Sequence, residues 1–269
     1  MATKQQIKKF QNEVIEYWQK NGRHELPWRK TKDPYKILVS EIMLQQTQVK
    51  RVLEKYKEFL MRFPNINALA HAPLSAVLKV WSGLGYNRRG KYLHDAAKII
   101  VSEYKGNMKK ALANSLPGVG PYTRAAVRTF AYNESHSMIE TNIRTVFIHH
   151  FFSDVPIVED RLILVHVEEA AKNMDPRTWY WALMDYGSYL KTVLPTPSRK
   201  SAHHTTQSKF EGSLRQVRGA ILKLLNESSQ ATLKIYKALP FEKERIDLAL
   251  AGLTKDGMIT KIKNSWRIS

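Results

Sequence analysis

The sequence contains no cysteine, which excludes disulfides, thiolate zinc sites and cysteine-ligated iron-sulfur clusters together. It also lacks an uninterrupted apolar run long enough to span a bilayer, because charged residues break up its hydrophobic 43% throughout. The first residues, MATKQQIKKFQNEVIEYW, have neither the apolar stretch nor the small-residue cleavage site of a secretory signal, and read as an amphipathic helix. These absences lead us to expect a soluble, cytoplasmic protein, nucleoid-associated in a prokaryote, with no membrane partner. Acidic residues are scarce as well: 24 Asp and Glu face 43 Lys and Arg, for a formal charge of +19. Such an excess suits a polyanion, since Lys and Arg displace counterions from phosphates. No short basic tail concentrates the charge, so nucleic acid is favoured over a membrane surface. From residue 191 onward 15 Lys and Arg face 6 acids, so both halves of the chain are expected to touch the polyanion. The nine histidines include two adjacent pairs, His149-His150 and His203-His204. Neighbours on a helix point in different directions, and no catalytic metal is expected.

A chain of 269 residues exceeds what one small core needs, so a main domain with a smaller appendage is expected. Helical periodicity dominates to about residue 190, which makes the main domain all-α. In Lys32-Asp33-Pro34-Tyr35, Asp33 suits an N-cap and Pro34 the first helical position. The helix that follows places Ile37, Glu41 and Leu44 on one face, which sets a carboxylate within an apolar stripe. Further helices are expected over 74–80, 91–104, 122–132, 142–152, 159–174 and 178–189. The stretch LPTPSRKSAHHTTQSKFEGS reads as a basic linker. After it, Leu214, Val217, Ile221 and Leu224 keep helical spacing, QATLKIYKAL forms a second helix, and Ile246, Ala249, Leu250 and Leu253 stripe a third. Asp256-Gly257 then turns into a strand over 258–262, and Lys263-Asn264-Ser265 turns back into Trp266-Arg267-Ile268. Three helices and a β-hairpin describe a winged helix, whose third helix commonly enters a DNA groove, although such folds also dock proteins. The expected boundaries are 1–193 for the main domain, 194–212 for the linker and 213–269 for the winged helix.

The sharpest local feature is Leu116-Pro117-Gly118-Val119-Gly120-Pro121-Tyr122, a glycine-containing hairpin between two helical patterns. Its glycines permit close backbone approach, and Pro121 can start a helix whose free amides face a phosphate oxygen. A GxG alone is weak evidence; a longer motif in a basic, all-α context favours DNA.

The segments LPWRKTKDPYKILVSEIMLQQTQV, VWSGLGYNRRGKYLHDAAKII, LPGVGPYTRAAV and ETNIRTV resemble, in order, the motif series of MutY-type adenine glycosylases of the helix-hairpin-helix superfamily. The resemblance covers roughly residues 10–189. It implies a mainly α fold, a two-lobed helix-hairpin-helix glycosylase domain followed here by the small winged helix. It also implies a monomer acting on double-stranded DNA with a damaged, mispaired or modified base. An enzyme of this kind extracts a nucleotide, helps its base leave and stabilises a cationic sugar. The family's acid falls on Glu41, whose apolar neighbours Ile37, Leu38 and Leu44 disfavour its charged form. The carboxylate that steadies the sugar cation falls on Glu140, where the family has Asp; the extra methylene lengthens its reach by ~1.5 Å. Asn142 matches the family's polar partner and is suited to orient that carboxylate or an attacking water.

At position 122 relatives that also cut the strand carry a lysine, which forms a Schiff base with the sugar; a phenol forms no imine, so Tyr122 implies base excision without a lyase step. Gln46, Thr47 and Tyr86 match residues that wedge into the helix beside the flipped nucleotide. Trp28 and Arg29 match residues near the base pocket, and Leu116, Gly118, Val119 and Gly120 the hairpin that grips the backbone. The resemblance leaves room for a monovalent cation at that hairpin and otherwise implies no cofactor, since the four cysteines the family supplies after Met184-Asp185-Tyr186-Gly187 are missing from 191–210. Arg199 and Lys200 are candidate replacements for the DNA contacts of that loop. Adenine opposite 8-oxoguanine or guanine is the leading substrate; thymine, uracil or a bulky modified pyrimidine is the alternative, and a non-catalytic DNA-binding protein a third reading.

Overall fold

The computed structural model describes residues 3–195, 197–203 and 209–269. In chain order they form α1 (Lys4–Asn21), α2 (Pro34–Leu44), α3 (Val49–Arg62), α4 (Ile66–His71), α5 (Leu74–Trp81), α6 (Arg88–Ser102), α7 (Met108–Ala111), α8 (Pro121–Tyr132), α9 (Thr141–Phe151), α10 (Asp160–Ala171) and α11 (Pro176–Val193). The C-terminal part adds α12 (Leu214–Glu227), β1 (Gln230–Ala231), α13 (Thr232–Ala238), α14 (Lys243–Lys255), β2 (Ile259–Ile262) and β3 (Ser265–Ile268). Two compact units result, Met1–Ile37 with Gly120–Thr206 and Leu38–Val119 with Gln207–Ser269.

Local chemistry sets the helix starts. Thr3 and Gln6 close a capping box on α1. Asp33 accepts the Tyr35 backbone N–H at 2.9 Å, so α2 begins where the Asp-Pro pair places it. Asp175 caps α11 in the same way, accepting from the Thr178 N–H ahead of Pro176. The helices α3, α4 and α7 go beyond those expected. Of these α3 has a clear stripe, Val52, Tyr56 and Phe59 being buried at helical spacing.

In the first unit Phe10 of α1 packs edge-on against Phe147 and Phe151 of α9 and Trp179 of α11. The amide of Gln11 donates to the Ala170 carbonyl at 2.9 Å. In the second unit the C-terminal segment does not build its core alone. Leu74 and Leu78 of α5 join Val217, Ile221, Ile235, Leu250 and Leu253 in one apolar cluster. Each such buried side chain contributes roughly 1.5–3 kcal/mol. The described residues from 209 onward therefore pack with 38–119 as one body. Their sheet is antiparallel in the order β1-β3-β2, which with the three helices is a winged-helix arrangement. Gln230-Ala231, expected within a helix, instead pairs with Ser265-Trp266; Trp266 fixes the junction by donating to the Thr232 hydroxyl at 2.9 Å. Part of the expected linker, 196 and 204–208, lies outside the described residues.

Candidate active site

In the second unit the site is built around Arg89, in the first turn of α6. Its guanidinium donates to the carbonyls of Ile42 at 3.0 Å and Met43 at 3.1 Å, in the last turn of α2, and to that of Gln45. The other terminal nitrogen reaches the Thr47 hydroxyl at 2.9 Å and the Leu84 and Gly85 carbonyls, each at 3.2 Å. One cation thus satisfies the free carbonyls at a helix C-terminus and joins two loops. Burial pulls its pKa down to about 10, against the opposing influence of the Tyr86 phenol, so it stays charged at neutral pH. Each loop carries an exposed or half-buried residue in the left-handed region: Gln46 at φ 53° and Tyr86 at φ 46°. Such backbone costs about 1–2 kcal/mol for a residue with a Cβ, and Arg89 holds both loops in it. These are two of the residues expected to enter DNA; Thr47 joins them through Arg89. Glu41 lies on α2 directly before this clamp, 8% exposed, beside the buried Ile37 and Leu38.

The hairpin is a type II turn. Val119 donates to the Leu116 carbonyl at 3.1 Å, Pro117 sets the first corner and Gly118 takes φ 70° at the second. A Cβ on Gly118 would also lie 2.8 Å from the Tyr92 Cβ. Leu116 and Val119 are buried anchors, while Gly118 and Gly120 are exposed; the turn presents backbone outward and side chains inward. Gly120 is the N-cap of α8 with Pro121 first in the helix. Tyr122 follows, half-buried.

In the first unit Glu140 is the N-cap of α9. Its Oε1 accepts the backbone N–H groups of Asn142 at 2.8 Å and Ile143 at 3.0 Å, and its Oε2 accepts the Asn142 side-chain amide at 3.2 Å. Although part of its surface stays accessible, desolvation pushes the carboxyl above its ordinary range, against the pull of those donors and of Lys191. The Oδ1 of Asn142 is buried with no partner. Flipping the amide would set that oxygen against the Glu140 carboxylate, so the orientation stands. A buried acceptor left open costs about 1–3 kcal/mol and is available to a water or a substrate hydroxyl.

Arg29 and Trp28 lie in a 3-10 turn of this unit, Pro27–Arg29. Both terminal nitrogens of Arg29 go to Asp185, at 2.6 and 2.9 Å, and Arg23 adds a third contact at 2.5 Å. Burial raises the Asp185 carboxyl, but the arginines outweigh it and hold it below its ordinary value. Trp28 is buried. Arg199 is exposed, and the Lys200 ammonium donates to the Ser153 carbonyl. The segment after α11 is held by backbone pairing, Val158 donating to the Lys200 carbonyl at 2.7 Å and Ala202 to the Val158 carbonyl at 3.0 Å. It offers no thiolate, so its residues do not fit an iron-sulfur cluster. Among the described residues no cluster of three His, Asp or Glu side chains is arranged to hold a metal, and no helix is long and apolar enough to cross a membrane. Sequence reasoning missed Arg89, although it falls four residues before the buried Leu93 on the apolar stripe of α6.

Comparisons with known proteins show the family and the fold. Residues 39–162 match the family described as HhH-GPD superfamily base excision DNA repair protein. An adenine DNA glycosylase of Mycolicibacterium smegmatis is 32% identical, the alignment covering 90% of each chain. The chain belongs to this glycosylase family. An adenine DNA glycosylase of Buchnera aphidicola subsp. Baizongia pistaciae is 35% identical over 185 residues, which cover 67% of this chain and 52% of that protein; the chain spans about half the length of several curated relatives. Among solved structures, a thermostable thymine-DNA glycosylase is 27% identical with a TM-score of 0.60, covering 70% of this chain and 88% of that one. A non-covalent endonuclease III–DNA complex, at 18% identity and TM-score 0.54 over 71% and 86% of the two chains, shares the fold.

Proposed function

We propose that this protein is a monofunctional DNA glycosylase that hydrolyses the N-glycosidic bond of a flipped-out base, adenine opposite 8-oxoguanine or guanine, and leaves an abasic site. The observation that carries the reading is Glu41, an acid kept 8% exposed on an otherwise apolar helix face. A carboxyl buried there needs polar partners that an apolar residue would not; such a group in such a family is suited to chemistry. Glu41 donates a proton to the departing base. The Glu140 carboxylate, poorly hydrated and fixed by two backbone amides, supplies negative charge for the oxocarbenium-like sugar. The open Oδ1 of Asn142 accepts from the incoming water. Tyr122, in place of an imine-forming lysine, supports hydrolysis without strand cleavage. The protein acts as a monomer without cofactor in the cytoplasm or nucleoid.

A second reading, removal of thymine or another pyrimidine, draws support from the longer carboxylate at 140 and the likeness to the thymine-DNA glycosylase. Incubation with duplexes carrying adenine opposite 8-oxoguanine or guanine, thymine or uracil opposite guanine, and modified cytosines, followed by alkali, separates the two. Alkali-dependent breaks at adenine support the first reading and breaks at pyrimidine the second. Breaks before alkali would overturn the monofunctional assignment, and no product from any duplex would leave a DNA-binding protein without catalysis.

A further inference from the structure

The winged helix reaches the loop that carries Tyr86 directly. In the first turn of α12, the Arg215 guanidinium lies 4.9 Å from the centre of the Tyr86 ring and donates to its phenol oxygen. Arg89 lies over the same ring at 5.4 Å. One turn further along α12, Arg218 pairs with Asp256, at the end of α14. Asp256 also takes Arg88, the residue before Arg89, at 3.0 and 2.8 Å. The loop so gripped is conformationally demanding: Gly83, Gly85 and Tyr86 take φ values of 94°, 73° and 46°.

We infer that Arg215 is a positioning residue for Tyr86, and that the winged helix serves base extraction by presetting the wedge rather than only by adding DNA contacts. This rests on the proposed glycosylase reading, in which Tyr86 enters the duplex. The physical basis is pre-organisation. A tyrosine that must be ordered on insertion loses rotamer freedom at that moment, whereas one already held by a cation on its ring and a hydrogen bond at its hydroxyl has lost it beforehand. The exposed residues of α14 mix the acids Glu244 and Asp247 and the apolar Leu248 with Lys243 and Lys255, so its charge does not single it out as a DNA reader; the contact with Tyr86 gives the module a different task.

The test uses the full chain and a duplex bearing a tetrahydrofuran abasic analogue, whose binding needs the wedge but no base chemistry. Arg215→Ala is expected to weaken that binding about fivefold and to lower the fluorescence of a 2-aminopurine placed beside the analogue. Arg215→Lys keeps the charge but not the planar contact, so it reproduces most of the loss with an unchanged salt slope. In a Tyr86→Ala background Arg215→Ala adds nothing. Additive losses, or a reduced salt slope with undisturbed 2-aminopurine, would show a phosphate contact instead and overturn the inference. Should Arg215→Ala melt early, Tyr86→Phe, which removes only the hydrogen bond, must show a part of the same loss; wild-type behaviour there and in Arg215→Lys also overturns it. If the wild type binds the analogue but releases no base from any duplex, the glycosylase reading fails while the Arg215–Tyr86 coupling is still measured.

Discussion

Gly187 of α11 comes so close to Asn142 of α9 that a Cβ on the glycine would sit 2.2 Å from the Asn142 carbonyl oxygen. The crossing of these two helices fixes the start of α9, and with it the carboxylate of Glu140 and the open oxygen of Asn142. Alanine normally strengthens a helix interior by roughly 1 kcal/mol over glycine. Here overpacking, at about 1–3 kcal/mol, opposes that gain and displaces the site. Gly187→Ala is expected to lower Tm and to slow single-turnover base release more than tenfold. A variant with raised Tm and full activity would show that the helices separate freely.

Glu140 couples catalysis to stability through pH. Its folded carboxyl titrates above the ordinary carboxylate range because burial penalises its charge. Between the unfolded and folded pKa the native chain holds a proton that the unfolded chain has lost. Stability therefore falls as pH rises through that window and stays lower above it. Glu140→Gln has no proton to lose, and its amide oxygen can still accept from Asn142 and Ile143. At neutral pH the variant should melt higher than wild type, with the advantage disappearing below the ordinary carboxylate range, and should release no base. Lower melting at neutral pH, or a difference independent of pH, would mean that charge at the α9 N-terminus outweighs desolvation.

Much of this was legible in the sequence because it is local. Asp33-Pro34 marks the start of α2, the Pro117-Gly118 pair makes the turn, and periodicity places Glu41 on an apolar face. Charge pairing across distant segments was not legible. The motif places Arg29 near the base pocket, but does not show that its two terminal nitrogens each bond Asp185, 156 positions away. Likewise Arg89 is one of several basic residues in GYNRRGK; helical spacing sets it on the stripe of Leu93 and Arg88 off it, but nothing local shows which distant carbonyls Arg89 meets or that Arg88 faces Asp256. The sharing of an apolar core between α5 and the winged helix has the same origin: Leu74 and Leu78 look like any amphipathic helix until α12 covers them.

Glu41→Gln separates binding from chemistry. The amide keeps the shape of the buried side chain and removes the transferable proton. Base release should drop by about 10² or more, in line with the usual worth of general acid catalysis, while affinity for an abasic-analogue duplex stays within twofold. Near-normal turnover by this variant would take Glu41 out of the reaction.

Arg89 is the side chain whose loss should be felt most widely. Its terminal nitrogens serve five backbone carbonyls and the Thr47 hydroxyl, all at part-buried positions. Arg89→Met keeps the stem and strands those acceptors, each at about 1–3 kcal/mol where water cannot reach it. A lysine has three donors on one atom and cannot span the fork. Arg89→Lys is therefore expected to destabilise by ~2 kcal/mol and Arg89→Met by more, as read by urea melting. Hydrogen exchange localises the effect: amides of 45–47 and 84–86 should exchange faster in Arg89→Lys, because the left-handed Gln46 and Tyr86 lose their shared support. Those of β2 and β3, held by their own ladder, should not. Unchanged melting with unchanged exchange at both loops would mean that the loops hold their conformations independently, and that Arg89 is no clamp.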